Sequence, residues 1–362
     1  MKTIIIAHNY TQQTVAAMSY NVAHYLANKN YKVIFISHKP FFENKFIDDK
    51  VMVCSWPTSG RPTGFKDAIW FAKIVLKYKP NVVISHFGSV NITVMIAKIF
   101  SLWRVKTLPY YHTVSEALEI DNKGKTFLSR FKKIRKYFIY KIFCDKIICP
   151  SELSKLDLFN YFKIKKGVKV LNPMNDRCQG VTEEAKNKII LSYLGRINRS
   201  KGVFLLVETF NLYCEQNPKT QIKLSIAGSG SEEKDFERII NSNSNISFIG
   251  GLSYDEIDSF LREGTYTIIP SFSDNLPTVG LESLMNGIPL LISKNTGLTL
   301  ELEDAVNCIT FSPTQNELMQ LFNNLETNMF NYKLLKTNAR KIYLEKFGVI
   351  SYCKSIEDVI ES

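Results

Sequence analysis

The stretch from Thr267 to Ser293 constrains the fold more than any other part of the sequence. Its apolar ends predict strands at Tyr266–Pro270 and Pro289–Ser293, and the segment between them predicts a polar loop, Ser271–Pro277, followed by a helix, Thr278–Asn286. Strand–helix–strand units of this kind build parallel sheets, and ligands bind beyond the carboxyl ends of such strands. The stretch therefore predicts an α/β fold with a binding site at this loop.

Two carboxylates and two backbone amides of this stretch suit an anionic ligand. Asp274 lies in the loop, and Glu282 lies just over one turn inside the helix. The N–H groups of Val279 and Gly280 belong to the first helical turn, where donors lack acceptors and the helix dipole is positive. Gly280 has no Cβ, so a ligand can approach the backbone there. A diphosphate at the amides with sugar hydroxyls at the carboxylates fits this pattern; an ordinary capped helix with two solvated acids is the alternative.

The spacing of the two acids carries a family resemblance. Seven residues separate Asp274 from Glu282, and the helix ends in the segment Asn286-Gly287-Ile288-Pro289. This pattern resembles the signature of the large family of retaining glycosyltransferases with the GT-B fold, in which the first acid is usually Glu rather than Asp. The resemblance implies an α/β protein with two Rossmann-like domains that face a central cleft.

A second loop, Gly195–Gly202, holds two cations between a predicted strand and a predicted helix. Arg196 and Lys201 lie five positions apart in it. Two such cations can bind a diphosphate from one side, although the loop taken alone is also compatible with a solvated basic turn. The resembled family uses a Gly-Arg…Lys-Gly loop to bind the diphosphate of its donor, and Arg196 and Lys201 match that motif.

The resemblance also implies the reaction and the residues of the site. It implies transfer from a nucleotide-diphospho-sugar, with a UDP-sugar favoured, by same-face attack that retains the anomeric configuration and needs neither a metal nor another cofactor. The residues that it assigns to catalysis are His112, Asp274, Arg196 and Lys201. The residues that it assigns to the donor are Arg196, Lys201, Gly228, Gly250, Leu252, Asp274, Asn275, Leu276, Pro277, Thr278, Val279, Gly280 and Glu282.

Length and composition fit two domains in a reducing compartment. The 362 residues exceed one ordinary core, and we place the boundaries at 1–180, 181–345 and 346–362, with the last helix crossing back to the first domain. The seven cysteines are scattered without metal-binding spacing. The N-terminal apolar run is too short for a signal peptide, and no apolar stretch approaches a membrane span. We therefore expect a cytoplasmic protein, peripheral at the inner face of the plasma membrane.

The two halves of the chain differ strongly in charge. Residues 1–180 contain 29 Lys and Arg against 11 Asp and Glu, a net charge of +18, whereas the remainder contains 17 against 23, a net of −6. Such asymmetry predicts an anionic partner for the first half, either nucleic acid or an anionic membrane surface. We expect a saccharide or lipid-linked acceptor there, contacted by loop residues that follow the first and fourth strands: Asn9, Gln12, Gln13 and His86.

A basic, aromatic segment, Lys123–Lys146, reads as an amphipathic helix. Phe127, Phe131, Ile134, Phe138 and Ile142 share one face, and Lys132, Lys133 and Lys136 lie opposite. In one interpretation the lysines contact anionic lipid; in the other the apolar stripe packs on the sheet and the lysines are a solvated face. The two interpretations are compatible if the apolar stripe is part of the core and the lysines contact lipid.

Two other functions are compatible with parts of the sequence. A nucleotide-sugar epimerase of the same fold needs carboxylates for acid–base chemistry, and acids near His112 are few, with Glu116 and Glu119 the nearest in sequence. A non-enzymatic, nucleic-acid-binding protein explains the basic half but needs a recognition helix or RNA-binding motif, which we do not find. The sequence favours a transferase acting in bacterial envelope polysaccharide synthesis, and no nucleic acid partner.

Overall fold

A computed structural model describes most of the chain: residues 1–8, 14–38, 50–59, 64–86, 92–116, 120, 126–178, 180, 188–240 and 243–362, without the side chains of 14–16, 126–130 and 132. The chain divides into two compact units. The first comprises Met1–His112, Gly124–Pro173 and Val349–Ser362, and the second comprises Thr113–Lys123 and Met174–Gly348.

The first unit is built on a parallel sheet of apolar strands. Ile5 of the central strand lies opposite Ile34 on one side and Val83 on the other, and all three are buried, as expected where both faces of a parallel sheet are covered. The sheet order is β3-β2-β1-β4-β5. The strands of the unit are β1 (Thr3–Ala7), β2 (Lys32–Ser37), β3 (Val51–Ser55), β4 (Val82–Ser85), β5 (Lys106–Pro109), β6 (Ile147–Cys149) and β7 (Gly167–Lys169).

Helices follow most of these strands. They are α1 (Thr14–Asn28), α2 (Phe65–Tyr78), α3 (Ile92–Phe100), α4 (Thr126–Phe138), which continues into a π-helical turn (Ile139–Phe143), and α5 (Glu152–Phe162). The last helix of the chain, α12 (Val349–Glu361), also belongs to this unit, where Tyr352 and Ile356 are buried in its core. Lys106 caps the end of α12, since its ammonium donates to Val359 O at 2.8 Å.

The end of the first sheet differs from the prediction. The sequence predicts a strand at Lys169–Asn172 that closes the sheet, but β7 is Gly167–Lys169 and pairs only with β6. These two strands form a separate parallel pair, which an isolated bridge between Tyr110 and Ile148 joins to the strand end that follows β5. The prediction was wrong because a short apolar run does not reveal its pairing partner.

The second unit contains a six-stranded parallel sheet in the order β10-β9-β8-β11-β12-β13. Its strands are β8 (Ile190–Leu194), β9 (Lys223–Ala227), β10 (Ile246–Phe248), β11 (Tyr266–Ile269), β12 (Leu290–Ser293) and β13 (Cys308–Phe311). Its helices are α6 (Val203–Gln216), α7 (Glu233–Ile240), α8 (Ile257–Glu263), α9 (Thr278–Met285), α10 (Gln315–Glu326) and α11 (Tyr332–Lys346). The predicted α/β class with two Rossmann-like domains is confirmed.

The strand order decides where each unit can bind a ligand. In both sheets the order reverses beside the first strand, between β1 and β4 in the first unit and between β8 and β11 in the second. Ligands of open α/β sheets bind outside the carboxyl ends of the strands at such a reversal. The loops after β8 and β11 contain the predicted cations and Asp274, and Glu282 lies in the helix that follows. The residues after β1 and β4 are His8 and His86. Over the described residues, no helix combines the length and apolarity needed to cross a bilayer.

Candidate active site

The loops after β8 and β11 are joined through their backbones. Phe272 N–H donates to Ser200 O at 2.9 Å. Gly202 ends the short 3-10 turn Arg199–Lys201 in the left-handed region, at φ +70°, and a Cβ there would lie 2.0 Å from Pro270 O. Only glycine combines this backbone conformation with so close an approach. The two loops are therefore packed closely together at the strand-order reversal.

Two of the predicted site residues contact each other where these two loops meet. The Lys201 ammonium lies 2.5 Å from Asp274 Oδ2, and both side chains are largely buried. The backbone of Asp274 is held as well: its N–H donates to Asn295 O at 3.2 Å, and its carbonyl accepts from Gly297 N–H at 2.9 Å. The cation assigned to the diphosphate and the carboxylate assigned to the sugar thus form an ion pair at one end of the site.

Arg196 is the second cation that the sequence assigns to the diphosphate. Its side chain is exposed, its backbone carbonyl accepts from the Tyr193 hydroxyl at 2.9 Å, and no described carboxylate forms an ion pair with its guanidinium. Its neighbour Arg199 is different, because Arg199 Nε lies 3.2 Å from Glu232 Oε1. Of the two arginines in this loop, Arg196 is the one available to an anionic ligand.

Three residues assigned to the donor, Gly228, Gly250 and Leu252, lie in the loops that follow β9 and β10. Gly228 N–H donates to Gly250 O at 2.7 Å. Gly228 has φ +148°, and a Cβ there would lie 1.8 Å from Gly195 O, so this glycine serves backbone packing. Gly250 has φ +79° and open space where its Cβ would be. Leu252 packs with Val279 on one small apolar cluster. The other loop residues assigned to the donor, Asn275, Leu276 and Pro277, are buried.

The structure corrects the interpretation of Gly280 in two ways. Its N–H donates to Pro277 O at 3.0 Å, so it is not an open donor; the first-turn amides with no described acceptor are those of Thr278 and Val279. The space beside its Cα is also filled, because an added Cβ would lie 2.5 Å from Leu298 Cδ2. Gly280 therefore lets α9 pack closely against Leu298.

A substitution tests this packing role. We expect Gly280→Ala to lower the free energy of unfolding by about 1–3 kcal/mol, because overpacking a buried site forces neighbours off their positions. Chemical denaturation measures the change. In a double-mutant cycle with Leu298→Ala, the penalty of the added methyl group should shrink, because the obstructing atom is gone. An unchanged penalty in the Leu298→Ala background would contradict the contact.

Glu282 is buried beside a cluster of polar residues that the sequence did not reveal. Arg177 makes a two-pronged bond to Asp258, with Nε–Oδ2 at 2.8 Å and Nη2–Oδ1 at 3.0 Å, and its Nη2 lies 3.7 Å from Glu282 Oε1. The guanidinium also stacks on Tyr254, 4.5 Å from the ring centre. Asn286 Nδ2 donates to Asp258 Oδ1 at 2.8 Å. Arg177 thus supplies the cation that faces the buried carboxylate.

Burial dominates the protonation of this carboxyl. It raises the pKa of Glu282 to about 7, with the nearby Asp258 adding to the rise and Arg177 opposing it. Arg177 follows the Asn172–Asp176 segment, close to the predicted boundary between the two domains. No spacing links Arg177 to Asp258 or Glu282, so sequence reasoning had no signal with which to find it.

In the first unit, two predicted histidines lie together at the end of the sheet. His86 Nδ1 lies 3.3 Å from His112 Nε2, and His86 Nε2 lies 3.1 Å from Ser19 Oγ. Tyr110 stacks on His86 with ring centres 4.1 Å apart, and the His8 ring is 5.3 Å from it. Because the two ring nitrogens face each other, one imidazole donates and the other accepts.

Both imidazoles are neutral at pH 7. Burial is the largest cause: it lowers the pKa of His112 to about 3, with His8 and Lys136 contributing, and it holds the pKa of His86 well below the usual range, with His8 and His112 contributing. A neutral His112 can donate or accept one hydrogen bond to a sugar hydroxyl without carrying charge. Asn9, Gln12 and Gln13, the other acceptor-side candidates, lie outside the described residues.

The structure contradicts the predicted orientation of the basic helix. Lys136 does not face outward: its ammonium lies 4.5 Å from the Tyr111 ring centre, and burial lowers its pKa to about 8. Lys133 lies over the Tyr161 ring at 3.4 Å, and the side chain of Lys132 is outside the described residues. The described residues of the apolar stripe, Phe131, Ile134, Phe138 and Ile142, are exposed rather than buried in a core. The assignment of Lys136 to lipid contact was therefore wrong.

Comparisons with known proteins agree with this geometry. Residues 176–342 match the family described as glycosyl transferases group 1, and residues 15–174 match glycosyltransferase family 4. An uncharacterized glycosyltransferase of Haemophilus influenzae is 24% identical over 357 residues, which is 95% of this chain and 93% of the relative.

Solved structures share the whole fold. Sucrose-phosphate synthase from Thermosynechococcus elongatus has a TM-score of 0.78 at 14% identity, with 100% of this chain and 98% of that chain covered. Alr3699/HepE of Anabaena, in complex with UDP-glucose, has a TM-score of 0.75 at 14% identity, with both chains fully covered. These likenesses confirm the GT-B fold class.

Proposed function

We propose that this chain, which belongs to the glycosyltransferases and has the group 1 domain in residues 176–342, transfers a hexose from a UDP-sugar. The proposed acceptor is a saccharide or a lipid-linked molecule, and the proposed role is bacterial envelope polysaccharide synthesis. The proposal includes retention of the anomeric configuration and independence of metal ions. The observation that carries it is the joined pair of loops at the strand-order reversal, where Lys201 and Asp274 are in contact and Arg196 is available. UDP is favoured as the nucleotide because the similar Anabaena protein is described with UDP-glucose.

Each charged residue has a role in this reaction that follows from its surroundings. The bond between the anomeric carbon and the diphosphate oxygen breaks, so negative charge grows on the leaving group. Arg196, Lys201 and the open amides of Thr278 and Val279 stabilise that charge. The acceptor hydroxyl attacks from the same face, and its proton passes to the departing phosphate oxygen. No metal ion is needed where cations and amides already neutralise the diphosphate.

The remaining residues orient the donor. Glu282 accepts hydrogen bonds from ribose hydroxyls, and the adjacent Arg177 favours its ionised form. Asp274 accepts from hydroxyls of the transferred sugar, and its contact with Lys201 holds the carboxylate in place. The neutral imidazole of His112 hydrogen-bonds to the sugar near the reacting carbon. An acceptor held on a lipid explains why the first half of the chain is strongly basic.

A thermal-shift panel tests the nucleotide and the metal together. A ligand that binds only the folded state raises the melting temperature, so we expect UDP to raise it more than GDP or ADP at equal concentration. The shift with UDP should be the same in EDTA as in Mg²⁺. A larger shift with GDP or ADP would replace the proposed nucleotide, and loss of the UDP shift in EDTA would contradict metal-independent binding.

A further inference from the structure

Helix α4 presents an apolar stripe to the surface of the first unit. The exposed fractions of Phe131, Ile134, Phe138 and Ile142 are 63%, 54%, 51% and 49%. These residues recur at intervals of three and four, so they lie on one face of the helix and its π-helical extension. Single exposed apolar residues are ordinary, but a continuous row of large ones marks an interaction surface.

The opposite face of α4 explains why this stripe is turned outward. Tyr140 is buried against Tyr111 and Phe162, with ring centres 6.0 Å and 5.9 Å away. Lys136 lies over the same aromatic group, 4.5 Å from the Tyr111 ring centre. Rotating the helix to bury the stripe would expose Tyr140 and break these contacts. The exposure of the stripe is thus imposed by the packing of the helix.

A second apolar element lies beside this helix. Helix α3 is followed by Leu102 and Trp103, which are 76% and 53% exposed. Both have left-handed backbones, with φ of +51° and +63°, a conformation that costs roughly 1–2 kcal/mol for a residue with a Cβ. The Trp103 ring centre is 6.0 Å from that of Phe143 at the end of the π-helical turn. The turn therefore places two further exposed apolar residues beside the end of the π-helical extension of α4.

The charges that the structure describes beside this surface are mainly cationic, and the nearby acid Asp145 is paired with Lys98 at 2.7 Å. On the helix, Arg135 and Lys141 flank the stripe on its two sides, and both are exposed. Arg104 is exposed next to Trp103. The sequence contains no Asp or Glu between residues 67 and 116 or between residues 121 and 145. An apolar row bordered mainly by cations matches a bilayer with anionic headgroups, in which acyl chains lie below negative charge.

We propose that Phe131, Ile134, Phe138, Ile142, Leu102 and Trp103, here called the outer stripe, insert into the headgroup region of an anionic bilayer. Arg104, Arg135 and Lys141 then bind the lipid phosphates. The inference deepens the proposed function, on which it rests for the identity of the acceptor, by assigning the surface that brings the enzyme to a lipid-linked substrate. In this proposal the apolar face of α4 inserts into the bilayer, and Lys136 does not contact lipid.

Vesicles of defined composition test the insertion. Trp103 is a natural reporter, since Trp56 is buried and Trp70 packs on it. With phosphatidylglycerol-rich vesicles we expect a blue shift of the tryptophan emission and quenching by lipids brominated on the acyl chain; a Trp103→Phe variant should lose both signals. Pure phosphatidylcholine should bind weakly, and 1 M salt should weaken binding to anionic vesicles. Binding without acyl-chain quenching would overturn insertion.

Matched variants test whether the apolar residues of α4 are the ones that bind the vesicle. Replacing Phe131, Ile134, Phe138 and Ile142 by Ser should weaken vesicle binding by at least about 100-fold, because the transfer of four large apolar groups is lost. The control is Leu76→Ser with Ile350→Ser, two residues of the same unit that are 53% and 68% exposed; it should bind as the native chain does.

The same variants separate this proposal from its alternatives. Equal vesicle binding by the four-Ser variant and the native chain would overturn the proposal, and so would a native dimer in light scattering that the four-Ser variant abolishes, since the stripe would then join two copies. The UDP thermal shift is measured on every variant. A retained UDP shift without vesicle binding rejects only the outer stripe, whereas vesicle binding without a UDP shift rejects only the proposed donor.

Discussion

Replacing Lys201 with Ala is expected to lower kcat/KM for sugar transfer by about 100- to 1,000-fold, the range found when one preorganised donor to a developing negative charge is removed. The loss has two sources. The diphosphate loses a cation, and the Asp274 carboxylate, 2.5 Å from Lys201 in the native protein, is left unpaired next to the leaving group. Arg196→Ala should have a smaller effect, roughly 10-fold, because the exposed Arg196 neutralises no protein carboxylate. Steady-state transfer kinetics measure both.

Two further variants separate charge at the site from damage to the fold. Lys201→Ala alone should lower the free energy of unfolding by about 1–3 kcal/mol, since a partly buried acceptor loses its partner. Lys201→Ala with Asp274→Asn should recover that stability but not the activity. Arg199→Ala, a change of a cation on the same loop that is paired with Glu232, should alter transfer less than about twofold. Equal losses from Arg199→Ala and Lys201→Ala would remove the assignment of the diphosphate to Lys201.

Glu282→Gln is expected to weaken donor binding while stabilising the fold. An ionised carboxylate accepts two ribose hydroxyls and an amide oxygen does so less well, so we expect UDP affinity to fall about 10- to 100-fold at pH 8. Burial raises the pKa of Glu282 from 4.5 to about 7. Keeping the carboxylate ionised in the native protein therefore costs about 3 kcal/mol above that pH, and the neutral amide avoids this cost. Calorimetry with UDP and chemical denaturation measure the two effects.

The pH dependence follows with a definite sign. Between about pH 4.5 and 7 the folded protein binds more protons at Glu282 than the unfolded chain does, so the contribution of this residue to stability falls as the pH rises through that window. Donor affinity changes the other way and should rise from pH 6 to pH 8 as Glu282 ionises. Both trends should flatten in Glu282→Gln. In Arg177→Met the rise in affinity should shift to higher pH, because the cation that opposes the raised pKa is gone. An unchanged UDP profile in Glu282→Gln would exclude Glu282 from the donor site.

Several features of the site could be predicted because they are written in local sequence. The strands around the second reversal are short apolar runs ended by polar loops, and the predicted helix at Thr278–Asn286 is observed as Thr278–Met285. Lys201 and Asp274 could be assigned to one site because the carboxyl ends of neighbouring parallel strands meet at one edge of the sheet. Their direct contact follows from the fold, since 73 residues separate them.

Other features depended on contacts between residues far apart in the chain. The missing Cβ of Gly280 predicts room for a ligand, but Leu298 occupies that space. The pairing of Arg177 with Asp258 spans 81 residues, and neither residue belongs to a recognisable motif. Periodicity showed that α4 is amphipathic, yet it could not show which face is buried, because aromatic rings can pack against lysine stems as well as against aliphatic side chains.

The amino-acid sequence by itself determined the α/β class, the strand–loop–helix units and the charged residues placed at strand ends, since these depend on the polarity and backbone preferences of neighbours along the chain. Only the tertiary structure decided that Arg177 faces Glu282, that Gly280 serves packing and that α4 turns its apolar row outward. Those outcomes depend on which distant side chains fill the space around a residue, and that is settled when the sheets and helices pack.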